Sequence, residues 1–188
     1  KRAYLSPILD CAGEVISYAV SESQDLSMIS AMLDDIRKDT IHEGTVFHSD
    51  QGALYMSDQF QERLRKMGLI QSMSRRGNCW DNAAMESFFG HLKDHCHFAG
   101  CVAFQEVKKM IDDYIEYYNN ERPQWTRMKM TPAAYARYLK EMGEQEFKAY
   151  LAKERKKYEQ MITRSIERTD KHGEHLRSVI SSLVEETR

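Results

Sequence analysis

The chain predicts an α/β fold, a mixed sheet flanked by helices with a helical extension at its carboxyl end. Three observations lead there. Short runs rich in β-branched and aromatic residues alternate with amphipathic stripes, the pattern of strands and helices packed as layers. Gly, Pro and capping residues punctuate the boundaries between these runs. Beyond Gly143 the composition changes and only helical spacing continues.

The elements follow in order. Ala3-Tyr4-Leu5-Ser6-Pro7-Ile8-Leu9 and Glu14-Val15-Ile16-Ser17-Tyr18-Ala19-Val20, joined by Asp10-Cys11-Ala12-Gly13, read as a hairpin. Pro7 has no N–H for a ladder, which puts it at an open edge or a bulge. Leu26, Ile29, Leu33 and Ile36 form the stripe of an amphipathic helix ending before Gly44. Thr45-Val46-Phe47 predicts a short buried strand delivering His48-Ser49-Asp50 at its carboxyl end, where α/β sheets tend to carry ligand-binding residues. Ser57 suits an N-cap, with Phe60, Leu64 and Met67 facing inward and Gly68 as the stop. Leu69 to Met73 reads as another strand.

Ser74-Arg75-Arg76-Gly77-Asn78-Cys79-Trp80 is a polar loop, and Asp81 can cap a helix whose apolar face is Met85, Phe88, Phe89 and Leu92. Asn82, Glu86 and Lys93 lie along a different stripe of that helix. A further helix carries Phe104, Val107, Ile111, Tyr114, Ile115 and Tyr118 and stops near Arg122-Pro123. After a basic linker with Arg127 and Lys129, Thr131-Pro132 supplies an N-cap and a first-turn proline. Phe147, Leu151, Tyr158 and Ile162 predict one helix of the tail. Leu176, Val179, Ile180, Leu183 and Val184 predict another, with Gly173 between them.

A 41% hydrophobic and 30% charged composition describes a globular domain rather than a disordered or membrane chain. No apolar run approaches the roughly 20 residues that span a bilayer, and no signal peptide is visible, so a cytoplasmic protein is expected. Cys11, Cys79, Cys96 and Cys101 form no CxxC pair, and reduced thiols are expected with them. The net charge of −2 carries no nucleic-acid signal, yet Glu62, Arg63, Arg65, Lys66, Arg75 and Arg76 sum to +4 between residues 59 and 79. Taken alone, that excess describes a solvated helix face and a loop.

It gains meaning beside Asp50 and Glu86, two carboxylates separated by 35 residues, one at a strand end and one on a helix. Phosphodiester chemistry by Mg²⁺ or Mn²⁺ needs oxygen ligands only, and two ions about 4 Å apart can stabilise the attacking and leaving oxygens together. Carboxylates gathered for this purpose repel one another until a metal binds.

The flanking residues narrow the reading. His48-Ser49-Asp50-Gln51-Gly52, then Ser72 through Asp81-Asn82-Ala83 into Glu86-Ser87-Phe88-Phe89, resemble the integrase-type catalytic core of DDE insertion-sequence transposases. So do Lys93, Tyr114-Ile115-Glu116-Tyr117-Tyr118-Asn119, Arg122-Pro123 and Thr131-Pro132. The resemblance covers about Ala3 to Leu139. It implies a ribonuclease-H-like fold, with residues 1–120 as the core, 121–142 as a basic linker and closing helix, and 143–188 as a helical tail outside the resemblance.

It also implies metal-dependent DNA cleavage and strand transfer at the terminal inverted repeats of an element and at target DNA, by a homo-oligomer. Asp50 and Glu86 would be the second and third metal-binding acids, Asn82 would lie beside the substrate, and Lys93 would touch a phosphate near the scissile bond. Arg75, Arg76, Arg122 and Lys129 would contact phosphates. The family's first aspartate, with its strand, is expected ahead of Lys1. Asp10 is a lesser candidate to replace it. A catalytically inactive DNA-binding or oligomerising fragment is the alternative, and a ribonuclease-H-like nuclease a third reading.

Other features have plainer readings. His91, His95, Cys96, His97 and Cys101 imitate zinc spacing without a fuller motif, so ordinary side chains are expected. His48 either touches the site or serves the structure. Helical spacing favours core packing for Tyr114 and Tyr118. Trp80 and Trp125, in polar loops, suit contact with DNA or a second subunit.

Overall fold

The computed structural model describes residues 2–36, 41–75 and 82–168, and divides the chain into two units, Lys1–Tyr138 and Leu139–Arg188. The first unit opens with the antiparallel hairpin of β1 (Tyr4–Leu9) and β2 (Val15–Ser21). Its turn closes through Gly13 N–H to the Asp10 carbonyl and Asp10 N–H to the Glu14 carbonyl, both at 2.9 Å, with Gly13 at φ +80°. The register shifts between Ile8 and Leu9. Regular alternation would place Val15 on the face of Ser17; the irregularity turns it to the opposite side, where it joins Leu5, Leu9, Tyr18 and Val20.

The hairpin therefore divides two apolar cores. On one face, Val15 packs with Phe88 and Leu92 of α3 (Ala83–His95) and with Ile111, Tyr114, Ile115 and Tyr118 of α4 (Phe104–Asn120). On the other, Ile8, Ile16 and Ala19 meet Ile29, Met32 and Leu33 of α1 (Leu26–Asp34), together with Phe60 and Leu64 of α2 (Asp58–Lys66). Buried Ser17 is satisfied by donating to the Met32 carbonyl at 2.5 Å. Asp25 caps α1 by accepting from the Ser27 and Met28 amides at 3.0 and 3.2 Å. The expected cap of α2 is present, Ser57 Oγ accepting from Phe60 N–H at 3.3 Å, and Gly68 at φ +72° follows the helix as anticipated.

β3 (Val46–Ser49) and β4 (Ile70–Met73) pair in parallel, Val46 opposite Ile70 and Ser49 opposite Met73. The strand expected to be buried is buried on one face only. Phe47 stacks edge-on against Phe60 at 5.6 Å, while Val46 and Ile70 are 59% and 57% exposed. An apolar run reads alike whether one or two layers cover it, and here a single layer does. The anticipated mixed sheet is divided as well, since among the described residues β1 pairs only with β2 and β3 only with β4.

One side chain fixes the far side of the hairpin. The Asn119 side chain at the end of α4 accepts from Val15 N–H and donates to the Val15 carbonyl, both at 2.9 Å, serving β2 as a neighbouring strand would. α5 (Pro132–Glu141) opens with the expected cap, Thr131 Oγ1 accepting from Ala134 N–H at 3.3 Å. In the second unit α6 (Glu144–Arg168) matches the first predicted tail helix. The second predicted tail helix, and Asp81 as a cap, fall outside the described residues.

Candidate functional site

Leu5, Ser6 and Pro7 of β1 and Phe47, His48 and Ser49 of β3 border one cleft of about 540 Å³. Side chains alternate across a strand, so a cleft lined by three consecutive residues of each meets both strands at an edge rather than a face. Another wall is α3 with its N-cap Asn82, α3 contributing Met85, Glu86, Phe89, Gly90 and Lys93, and Gln24, Met32, Asp50 and Tyr55 complete the lining. The stripe anticipated for Asn82, Glu86 and Lys93 thus borders the same cleft as Asp50 at the end of β3.

Asp50 follows β3 directly, and its Oδ1 accepts the Gly52 N–H at 2.9 Å. A β-carbon built on Gly52 would lie 2.9 Å from that oxygen and 3.3 Å from the Tyr55 ring, so glycine here makes room for the carboxylate. Asp50 and Glu86 are both exposed, which leaves their charge hydrated and reachable.

The end of β4 is clamped beside Asp50. Ser74, buried, donates its N–H to the Ser49 carbonyl at 2.8 Å, while its carbonyl accepts from Gln51 Nε2 at 3.2 Å. His48 spans the ladder, with Nδ1 3.0 Å from Ser72 Oγ and Nε2 3.0 Å from Ser74 Oγ. A hydroxyl can donate or accept, so either imidazole tautomer keeps both bonds. Across the cleft, Tyr55 Oη lies 2.9 Å from Ser6 Oγ and ties the segment after β3 to β1. Burial pushes the Tyr55 phenol up; the Ser6 bond pulls it down, and the charge of Asp50 pushes it up again.

The structure brings Asp50, Asn82, Glu86 and Lys93 to this one cleft. Arg75 is exposed immediately after Ser74, and Arg76 and Trp80 lie outside the described residues. Arg122 and Lys129 are not among the cleft's lining residues. Arg122 follows α4 with its N–H on the Tyr117 carbonyl at 3.0 Å, and the Lys129 ammonium sits 4.5 Å from the centre of the Trp125 ring. Tyr114 and Tyr118 are core residues, as their spacing predicted. His95 stacks on Tyr117 with ring centres 4.9 Å apart.

Sequence reasoning missed Ser6, Gln24 and Tyr55 as cleft residues. Tyr55 lies three residues beyond Gly52, and that nearness was a usable signal; Ser6 and Gln24 come from distant segments and carried none. The cleft's donors suit a hard cation. Asp50, Glu86 and Asn82 offer oxygen, and both nitrogens of His48 are already engaged by serines. Among the described residues, no group of three or more His, Cys, Asp and Glu side chains is arranged to hold a metal ion by itself.

Comparison with known proteins gives a consistent result. Two family models described as "Integrase core domain" match residues 1–79 and 67–132. A putative transposase for insertion sequence element IS150 of Escherichia coli (strain K12) is 43% identical over 138 residues, 72% of this chain and 49% of that protein. A transposase-like protein of Haemophilus influenzae is 40% identical over 136 residues, 71% of this chain and 63% of that one. The chain thus spans about half to somewhat under two-thirds of these curated relatives.

Among solved structures, a chain of the simian T-cell lymphotropic virus intasome in complex with a PP2A regulatory subunit matches at TM-score 0.57 and 18% identity, over 70% of this chain and 47% of that one. The catalytic core domain of BIV integrase matches at TM-score 0.50 and 16% identity, over 79% and 84%. At such identities these two speak for the fold, that of retroviral integrase cores.

Proposed function

Because this chain belongs to the integrase-core family of insertion-sequence transposases, we propose that its cleft is a site of metal-dependent DNA cleavage and strand transfer, with Asp50 and Glu86 as its acids. One observation carries the reading: a strand end and a helix far apart in sequence present both carboxylates to one cleft, accompanied by Asn82 and Lys93. Asp50 and Glu86 would hold Mg²⁺ or Mn²⁺, which supplies charge stabilisation for the attacking and leaving oxygens of an in-line displacement.

The chain's own residues orient the substrate. Gly52 N–H and the Ser74 clamp hold the Asp50 side of the cleft, and Glu86 stands in the first turn of α3, where the helix dipole favours its negative charge. The Asn82 amide lies beside the DNA, and the Lys93 ammonium meets a phosphate. Arg75, Arg76, Arg122 and Lys129 add phosphate contacts, so binding falls steeply with salt. The partners are the terminal inverted repeats and target DNA, engaged by a homo-oligomer.

The family's first strand, expected ahead of Lys1, would fill the part of the cleft between the edges of β1 and β3 and bring a third acid beside Asp50 and Glu86, so that DNA is met at the carboxyl end of these strands. Supporting it, each of these strands is paired on one side only among the described residues, and both edges border the cleft. Residues 1–120 then form the core, 121–142 the linker and closing helix, and 143–188 the tail.

Calorimetry with Mn²⁺ tests the acids. The chain should take up the ion weakly, and Asp50→Asn or Glu86→Gln should abolish the heat. Equal heats in all three proteins would overturn the assignment. No heat in any of them would leave a DNA-binding or oligomerising fragment instead. A version extended ahead of Lys1 should then join element-end DNA to a target in the presence of Mn²⁺.

A further inference from the structure

Away from the cleft, the segment between α4 and α5 builds a small closed loop. Gln124 and Met130 pair as an isolated antiparallel bridge, and the amides of Arg127 and Lys129 both reach the Gln124 carbonyl at 3.0 Å. Met128 and Lys129 are left-handed at φ 54° and 61°, the two non-glycine residues with positive φ among those described. Such backbone persists only where its surroundings over-determine it. Here they do, because the Arg127 guanidinium donates to the Ala12 carbonyl and to Gln124 Oε1. It fills the space where a β-carbon on Gly13 would stand, which anchors the loop to the β1–β2 turn.

On this rigid base stands Trp125, 82% exposed. The Lys129 ammonium covers one face of the indole at 4.5 Å, and so high an exposure leaves the other face open. From Arg122 to Met130 the chain carries three cations and no carboxylate. An open aromatic face backed by a cation, on a loop without acids, matches an unpaired base and its adjoining phosphate. Met128, also exposed on this loop, would suit a protein partner, an outcome that a change of sedimenting mass would reveal.

We propose that the Gln124–Met130 loop is a second DNA contact, in which the Trp125 indole stacks on an unpaired base while Lys129 meets a neighbouring phosphate. This deepens the reading of the chain as DNA-acting, and it uses none of the residues of the cleft. Trp125 becomes the element that distinguishes unpaired from duplex DNA, since a base within a duplex offers no free face.

The test is fluorescence anisotropy of the full 188-residue chain with a labelled oligothymidine and with a duplex of equal length, across a salt series. Trp125→Ala should weaken oligothymidine binding by about five-fold or more, as the loss of one stacked base does, and leave duplex binding within about two-fold. Trp125→Phe should keep most of the affinity, and Lys129→Gln should lower the salt slope by about 0.7. Val102→Ala, a change at another exposed apolar side chain, should have no effect. Circular dichroism confirms that the variants fold.

Oligothymidine binding unchanged in Trp125→Ala, or absent in the parent chain, would overturn the inference. So would a change of sedimenting mass in Trp125→Ala with DNA binding intact, which would assign the loop to a protein interface. Mn²⁺ binding reads Asp50 and Glu86 without Trp125, so failure here leaves the proposal for the cleft standing, and failure there leaves this one to be judged by its own assay.

Discussion

Gly52 is held to its identity by the carboxylate before it. A methyl group at this position would press on Asp50 Oδ1, the end of a short side chain that escapes by rotating about its Cα–Cβ bond. Rotation breaks the 2.9 Å bond from Gly52 N–H and moves the carboxylate from the position that bond fixes. Gly52→Ala is therefore expected to leave the melting temperature close to the parent's and to weaken Mn²⁺ binding by about ten-fold or more, the size of effect seen when groups that support a metal ligand are removed. Thermal unfolding and calorimetry on the same preparation separate the two effects. A lower melting temperature with unchanged Mn²⁺ affinity would show Gly52 to be a packing residue. Such a tight approach is invisible in the string His48-Ser49-Asp50-Gln51-Gly52, which offers Asp50 as a candidate ligand but says nothing of the space around it.

Among the elements, α4 has two roles. Its apolar face, Ile111, Tyr114, Ile115 and Tyr118, packs against Phe88 of α3, with the Tyr118 ring edge-on at 5.1 Å. Its end holds β2 through the paired bonds of Asn119 to Val15. Asn119→Ala leaves a part-buried donor and acceptor of the hairpin without that amide, at a cost of about 1–3 kcal/mol, measurable as a lower urea midpoint at unchanged slope. A midpoint equal to the parent's would mean that water replaces the amide fully. The helical period made the packing face legible, because residues three and four apart share a side. The Asn119 bracket was not legible, since it joins residues 104 positions apart. The same limit explains the misjudged burial of β3: Val46 and Phe47 are apolar alike, and only the number of covering layers separates an exposed position from a packed one.

At the scale of the molecule, both apolar cores consist of residues within Lys1–Tyr138, while the described side chains of α6 are predominantly exposed. A chain ending at Met142 should then melt within about 4 °C of the parent, the shift that about 1 kcal/mol produces at this size. A fall of more than roughly 10 °C would make the tail part of the stabilising core. The sequence by itself determined the kind of fold and the identity of the hairpin and the described helices, and it singled out Asp50 and Glu86 as the acids to propose, because periodicity, capping and short motifs are local properties of a chain. The tertiary structure alone decided that the strands among the described residues form two pairs, that their open edges and α3 share one cleft, and that Arg127 braces the Trp125 loop against the hairpin turn. Those outcomes depend on which distant segments exclude water from one another, and that competition is settled only when the whole chain packs.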